Sequence, residues 1–191
     1  MSEIRVFREY EPATTIAWSV DTTEIKSLLA GVGVRFETWR SDVRLAADAS
    51  PETVLTAYRA DIDRLMLAGS YSTVDVISMT PDLPDRAAMR TKFLDEHIHS
   101  EDEVRFFVRG EGLFSLHIGH KVYEVHCTKG DLLGVPDGTR HWFDMGPRPY
   151  FTAIRLFTNP AGWVAAMTGS DIAKRFTRLN NGRSPQSLSG T

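Results

Sequence analysis

The sequence has few of the features that mark secreted, membrane-bound or nucleic-acid-binding proteins. Only one of its 191 residues is cysteine, Cys127. No internal disulfide can therefore form, and we expect a cytoplasmic protein kept in reducing conditions. No apolar run is long enough to span a bilayer. Residues 1–12 are charged and lack the apolar stretch of a secretory signal.

An excess of positive charge is also absent. The chain has 22 Lys and Arg against 25 Asp and Glu, a formal net charge of -3. This balance argues against nucleic acid or an anionic membrane as a partner. Hydrophobic residues make up 42% of the chain, which suffices for the core of one domain. A small substrate in a pocket is the kind of partner that the composition favours.

The pattern predicts a single domain over residues 1–179 with three successive parts. Residues 1–92 mix helix and strand signals, with helices beginning at Asp21, Ser50 and Asp85. Strands are predicted in this part at 34–39 and 73–79. Residues 158–179 are predicted to be a helical segment, and the Asn-, Gly- and Ser-rich tail 180–191 to be disordered.

Residues 93–157 have a different character, because short alternating segments are separated by turns. No strand–helix–strand alternation occurs here, which disfavours a doubly wound sheet, and a mainly β sandwich or small barrel is predicted. The predicted strands are 104–108, 113–118, 121–127, 131–135, 140–145 and 150–157.

Three side chains within this part share one face of a strand. His97, His99 and Glu103 are separated by even numbers of residues, so a strand projects them to the same side. Arg105 and Phe107 continue that face. Val104, Phe106 and Val108 have the opposite parity and are expected to pack in a hydrophobic layer.

A fourth candidate ligand, His141, follows the turn Pro136–Thr139 much later in the chain. Three imidazoles and a carboxylate suit Fe(II), Ni(II), Mn(II), Co(II) or Zn(II) better than Ca(II) or Cu(I). Four protein ligands in an octahedron leave two positions open for a chelating substrate. His117, His120 and His126 have no carboxylate at ligand spacing, and we predict ordinary strand or turn roles for them.

These spacings resemble the two cupin motifs. His97, His99, Glu103 and Gly110 match His-x-His-x3-Glu-x6-Gly, and Gly130, Pro136, Gly138 and His141 match the second motif. Met145 stands where many cupins have Asn. The resemblance implies a mainly β (α+β) fold, a cupin-type β-barrel or double-stranded β-helix. Helices from the N-terminal third and the C-terminus would pack outside it.

The segments around these motifs, EHIHSEDEVRFFVRG and VPDGTRHWFDMG, are similar to those of acireductone dioxygenases over residues 93–157. The resemblance implies an enzyme of methionine salvage with one Fe(II) or Ni(II) per chain, for which Mn, Co or Zn could substitute. The sequence contains no unclaimed apolar repeat or heptad, so we expect a monomer. Its substrates would be 1,2-dihydroxy-3-keto-5-methylthiopentene and O2. Iron would give 4-methylthio-2-oxobutanoate and formate. Nickel would give 3-methylthiopropanoate, formate and CO.

The resemblance and the strand parity together assign further residues to the site. Arg105 is expected to stabilise an ene-diol dianion, because a guanidinium keeps its charge near pH 7. In the family, the position of Glu96 is linked to metal incorporation and that of Asp102 to relaying structural change. Asp102 could equally accept a hydrogen bond from a ligating imidazole. The remaining candidates for substrate binding are Arg155, Phe143, Phe93 and Trp163.

Two other classes of function stay open on the sequence alone. One is another cupin metalloenzyme, a dioxygenase or an isomerase. The other is a non-catalytic cupin that binds a small molecule through its metal. The chain contains no convincing helix-turn-helix segment, which disfavours a DNA-binding sensor.

Overall fold

A computed structural model describes residues 1–39, 43–46, 48–69, 71–159 and 164–180. The strands in these ranges are β1 (Glu3–Arg8), β2 (Glu11–Ser19), β3 (Arg35–Thr38), β4 (Thr73–Met79), β5 (His97–Ile98), β6 (Glu103–Ile118), β7 (Lys121–Thr128), β8 (Asp131–Val135), β9 (Arg140–Asp144), β10 (Phe151–Phe157) and β11 (Ala166–Met167). The helices are α1 (Thr22–Ala30), α2 (Pro51–Ala57), α3 (Arg59–Ala68), α4 (Arg86–Leu94) and a 3-10 helix at Ile172–Arg175.

Strand β6 belongs to two sheets and joins them. Its first half pairs with β8 and β10, which continue to β3 and β4 respectively. Its second half lies between β7 and β9 in the order β11-β5-β9-β6-β7-β1-β2. The largest hydrophobic cluster includes Phe36 and Leu133 from the first sheet and Phe114 and Val125 from the second. The two sheets therefore face each other across a common core.

The predicted parity of β6 is confirmed by the packing of its first half. Phe107 lies in the common core. Val104, Phe106 and Val108 point the other way into a second cluster. That cluster includes Val54 of α2 and residues of α3. Helices α2 and α3 thus cover the outer face of this sheet, as predicted, whereas Ile25 and Leu29 of α1 belong to the common core.

Several predicted boundaries differ from the structure for local reasons. The helix beginning after Ser50 is interrupted at Tyr58 (φ -110°), which separates α2 from α3. The predicted strands 104–108 and 113–118 are one strand, β6. The hairpin of β1 and β2 was not predicted, although Ile4 and Val6 alternate with charged residues.

The prediction of a helical segment at 158–179 is wrong for the described residues of that segment. They contain the two-residue strand β11 and the short 3-10 helix. Gly169 has φ +78°, outside the helical range, and separates the two elements. Ile172, Ala173 and Phe176 pack with Phe7, Val122 and Trp142, which fixes the segment on the second sheet without an α-helix. Residues 181–191 of the predicted tail lie outside the described residues.

The bend of β6 between the two sheets occurs at Gly110. Its φ is +70°, and a Cβ there would lie 1.7 Å from the carbonyl oxygen of Tyr150. Glycine is therefore required both by the left-handed backbone and by the close approach of the chain before β10.

Replacing Gly110 with alanine is expected to lower the free energy of unfolding by about 3 kcal/mol or more, since strain and a backbone clash add. Urea denaturation would measure the loss. Gly33→Ala is the matched control, because Gly33 has φ +80° but a Cβ there would meet no described atom within 4 Å. The control should lose only about 1 kcal/mol, and equal losses in the two variants would contradict the role of the Tyr150 contact.

Candidate metal centre

Three histidine side chains converge in the core between the sheets. His97 in β5 pairs directly with His141 in β9, and His99 follows β5. One ring nitrogen of each lies within 4.8 Å of those of the other two. All three residues are buried. The sequence prediction that His97, His99 and His141 share one site is therefore matched by their positions.

Each of the three imidazoles is oriented by the backbone. Nδ1 lies 2.8 Å from the Asp95 carbonyl oxygen in His97, 3.2 Å from that of Val164 in His99, and 2.8 Å from that of Thr139 in His141. A carbonyl oxygen can only accept, so each Nδ1 donates. In the neutral ring Nε2 then carries the lone pair that a metal requires.

Glu103 completes the group at the start of β6. Its Oε2 lies 3.4 Å from His99 Nε2 and, among the described residues, accepts no hydrogen bond although it is buried. Its other oxygen, Oε1, accepts two hydrogen bonds from Arg105, from Nε at 3.1 Å and from Nη2 at 2.5 Å. One oxygen of Glu103 is thus held by a cation and the other faces His99.

The pKa values of these groups favour the protonation states that bind a cation. Burial lowers the pKa of His141 to about 3 and also lowers the pKa of His97. Burial alone would raise the pKa of Glu103, but the charge of Arg105 and the nearby histidines lower it to about 2. His141 is therefore neutral and Glu103 ionised at neutral pH, which are the protonation states of metal ligands.

The chemistry of these four side chains fits a divalent transition metal. A lone pair on His99 Nε2 and an ionised oxygen of Glu103 face each other without a proton donor between them, an arrangement that a cation would stabilise. Three imidazole nitrogens and one carboxylate oxygen match the preferences of iron, nickel and neighbouring metals.

Arg105 lies beside Glu103 on the face that the strand parity predicts. Its side chain is only 5% exposed. Its guanidinium carbon lies 4.8 Å from the ring centres of both Phe114 and Phe143. Hydrogen bonds to Glu103 and the two aromatic faces therefore fix a buried cation next to the candidate ligands.

The other predicted residues of the substrate pocket differ in position. Phe143 is buried and stacks edge-on with Phe93, with ring centres 6.5 Å apart, so these two candidates lie together. Arg155 is the cross-strand neighbour of Arg105 but binds Asp75 through two hydrogen bonds of 2.8 and 2.6 Å. Trp163 lies outside the described residues.

Asp102 does not accept a hydrogen bond from a ligating imidazole, so that alternative for it is wrong. Its Oδ1 accepts a hydrogen bond from the backbone N–H of Asp137 at 2.8 Å, whereas the three imidazoles donate to carbonyl groups. The N–H of Gly138 donates to the His99 carbonyl in the same place. Asp102 therefore connects the loop before Glu103 to the turn before His141.

Glu96 lies on the opposite side of the backbone from His97 and is 2% exposed. Its carboxylate accepts hydrogen bonds from His117 Nδ1 at 2.6 Å and from the Thr168 hydroxyl at 2.6 Å. Spacing along the chain indicated no carboxylate partner for His117, because Glu96 and Glu9 reach it only through pairing of distant strands. No local pattern signals these contacts.

Comparisons with known proteins agree with this geometry. A family profile described as the ARD/ARD' family matches residues 3–165. The acireductone dioxygenase of Synechococcus sp. is 57% identical over 180 residues, covering 94% of this chain and 99% of its own length. That of Xylella fastidiosa is 54% identical over 178 residues, covering 93% and 95% respectively.

A solved structure extends the similarity to the fold. Acireductone dioxygenase from Bacillus anthracis, which holds a cadmium ion in its active centre, has a TM-score of 0.75 and 27% identity. The match covers 87% of this chain and 98% of that one. The cupin fold predicted from the two motifs is thereby confirmed. With a profile that spans most of its length and relatives above 50% identity, the chain belongs to the ARD/ARD' family, the metal-dependent acireductone dioxygenases.

Proposed function

We propose that this protein binds one Fe(II) or Ni(II) through His97, His99, Glu103 and His141 and there cleaves an acireductone with O2. The observation that carries the proposal is the unpartnered, buried Oε2 of Glu103 facing the Nε2 of His99 among the described residues. Three imidazoles with their Nδ1 atoms hydrogen-bonded to carbonyl groups support the same ligand set.

The proposed substrate is 1,2-dihydroxy-3-keto-5-methylthiopentene. When bound, the metal would supply a Lewis acid for the ene-diol oxygens and the redox capacity that reaction with O2 needs. Iron-loaded protein would form 4-methylthio-2-oxobutanoate and formate. Nickel-loaded protein would form 3-methylthiopropanoate, formate and CO. Both product sets contain all the atoms of one substrate and one O2.

Arg105 has the properties required to promote ionisation of the ene-diol. It is a buried cation adjacent to Glu103, and a fixed positive charge in a water-poor site stabilises a developing dianion strongly. Burial lowers the pKa of Arg105 while Glu103 opposes the change, so the guanidinium stays charged at neutral pH.

The aromatic pair of Phe93 and Phe143 would contact the methylthio tail. Phe143 packs both against Phe93 and beneath the Arg105 guanidinium. A substrate with its ionised end near Arg105 could therefore lay its thioether against these rings, which favour sulfur at the ring edge. Arg155 would act on the site through its charge, since Asp75 holds its guanidinium.

The remaining parts of the proposal concern the cellular setting. None of the helices within the described ranges is long and apolar enough to cross a membrane. A single, buried cysteine suits the reducing cytoplasm, where methionine salvage takes place. We propose that the enzyme works there as a monomer on a small-molecule substrate, without nucleic acid or membrane partners.

Product analysis of iron-loaded and nickel-loaded protein tests the proposed function. We expect O2 consumption with anaerobically generated acireductone in both forms, and CO from the nickel form alone, because the metal selects which carbon atoms are lost. Gas chromatography of CO and mass spectrometry of the organic acids would measure this. Metal-free protein controls for spontaneous oxidation, and no acceleration over that background would refute the activity.

A further inference from the structure

A row of hydrogen-bonded side chains crosses the face of the sheet opposite to the candidate metal centre. His117 Nδ1 lies 2.6 Å from Glu96 Oε1, and His117 Nε2 lies 2.7 Å from Glu9 Oε2. At one end Glu9 Oε1 lies 2.9 Å from His120 Nδ1, and at the other Glu96 Oε2 accepts from Thr168. We call these five residues the carboxylate–histidine row. It joins the β1–β2 turn, β6, the β6–β7 turn, the residue before β5 and the C-terminal segment.

Register explains why the row lies behind the metal ligands. Leu116 of β6 pairs with His141 and is fully buried in the common core. The next residue, His117, pairs with Arg140 and points the other way. Glu96 and His97 are likewise adjacent in sequence, so their side chains point to opposite sides of the backbone. The row and the three imidazoles are therefore on opposite faces of the same sheet.

His117 lies between two carboxylates. Its Nδ1 is within hydrogen-bond distance of Glu96 and its Nε2 within hydrogen-bond distance of Glu9. Hydrogen bonds from His117 and then His120 lower the pKa of Glu9. The His117 side chain is only 10% exposed, so both contacts hold its ring in a fixed position largely away from solvent.

Strand β5 needs an anchor of this kind because its own pairing is minimal. It has two residues and meets β9 only where His97 pairs with His141. Its other neighbour, β11, is also two residues long. Pairing over so few residues fixes the position of β5 only weakly. Glu96 adds three contacts directly before β5: its carboxylate binds His117 and Thr168, and its carbonyl accepts from the Thr168 N–H.

We propose that His117, held in place by its contact with Glu9, is a positioning residue of the metal centre. By fixing the Glu96 carboxylate, it sets the position of β5 and hence the direction in which His97 presents Nε2. The inference rests on the proposed function, because it takes His97 as a metal ligand. It assigns a role to two residues, His117 and Glu9, that do not touch the metal or the substrate.

The experiment compares His117→Gln with His126→Gln in the full-length protein, using Co(II) as the probe. His126 is the matched control: it is buried on the neighbouring strand β7 and pairs with Glu111 at 3.1 Å, outside the row. We expect His117→Gln to weaken Co(II) affinity about 10- to 100-fold, as outer-shell changes do in metal sites. We expect its visible Co(II) spectrum to change and the control to match wild type in both respects.

A second variant keeps the inference testable if His117→Gln folds poorly. Glu9→Gln changes the outer carboxylate at a partly exposed position and is expected to weaken Co(II) binding in the same direction by a smaller factor. Wild-type Co(II) affinity in Glu9→Gln would contradict the part that Glu9 has in holding His117.

The outcomes separate this inference from the proposed function. Equal Co(II) affinity in wild type and His117→Gln, or equal losses in His117→Gln and His126→Gln, would overturn the positioning role while leaving the ligand set intact. If wild type and His99→Ala bound Co(II) equally, the proposed ligand set itself would be wrong.

Discussion

Replacing His99 with alanine is expected to abolish stoichiometric metal retention and, with it, all turnover. His99 Nε2 lies 3.4 Å from Glu103 Oε2, so the substitution removes the donor that makes this pair complementary to a cation. Changes to residues that merely orient ligands already cost about 10- to 100-fold in metal affinity. Loss of a ligand should exceed that range.

Metal content after dialysis, measured by elemental analysis, checks the expectation for His99. The apo form should remain folded, because alanine removes a buried polar ring whose main structural contact is one hydrogen bond to the Val164 carbonyl. Far-ultraviolet circular dichroism would verify this. His126→Ala serves as the control for loss of a buried histidine, and a His99→Ala protein that keeps one metal per chain would show that the ligand assignment is mistaken.

The alternation of side chains along a strand predicted part of the ligand arrangement. His97 lies in β5 and His99 directly follows it, but Glu103 begins the separate strand β6, where Arg105 lies on the same face. His141 lies beside His97 because β9 pairs with β5, and no local sequence pattern predicts this pairing. Motif resemblance supplied that step, and the β5–β9 pairing is consistent with it.

Contacts made by side chains on the other face of the same strands could not be predicted in this way. The partners Glu9 and His117 are separated by 108 residues, and they meet because β1 pairs with β7 and β7 with β6. The structure of the C-terminal segment was predicted wrongly for a different reason. Its composition allowed an α-helix, but the segment instead forms a short 3-10 helix that packs through Ile172 and Phe176 on the second sheet around Trp142.

Arg105→Ala is expected to keep the metal and to lower kcat by about 100- to 1,000-fold, the range seen when a single preorganised stabiliser of negative charge is removed. Arg105 contacts Glu103 through Oε1, while the oxygen that faces His99 is Oε2, so the ligand set survives the substitution. What is lost is the buried cation that would stabilise the substrate dianion.

The pH profile distinguishes this role of Arg105 from a structural one. Without the guanidinium, the bound ene-diol should ionise at a higher pH, so the rising limb of the kcat profile should move to more alkaline pH and activity should partly recover there. Arg105→Lys keeps the charge but not the two-point hydrogen bond to Glu103, and should fall between alanine and wild type. Arg155→Ala is the matched comparison, because Asp75 already balances the charge of its guanidinium, and a smaller loss with a smaller shift of the profile is expected. Wild-type turnover in Arg105→Ala, or a loss of rate without any displacement of the pH profile, would show that the charge of Arg105 does not promote substrate ionisation.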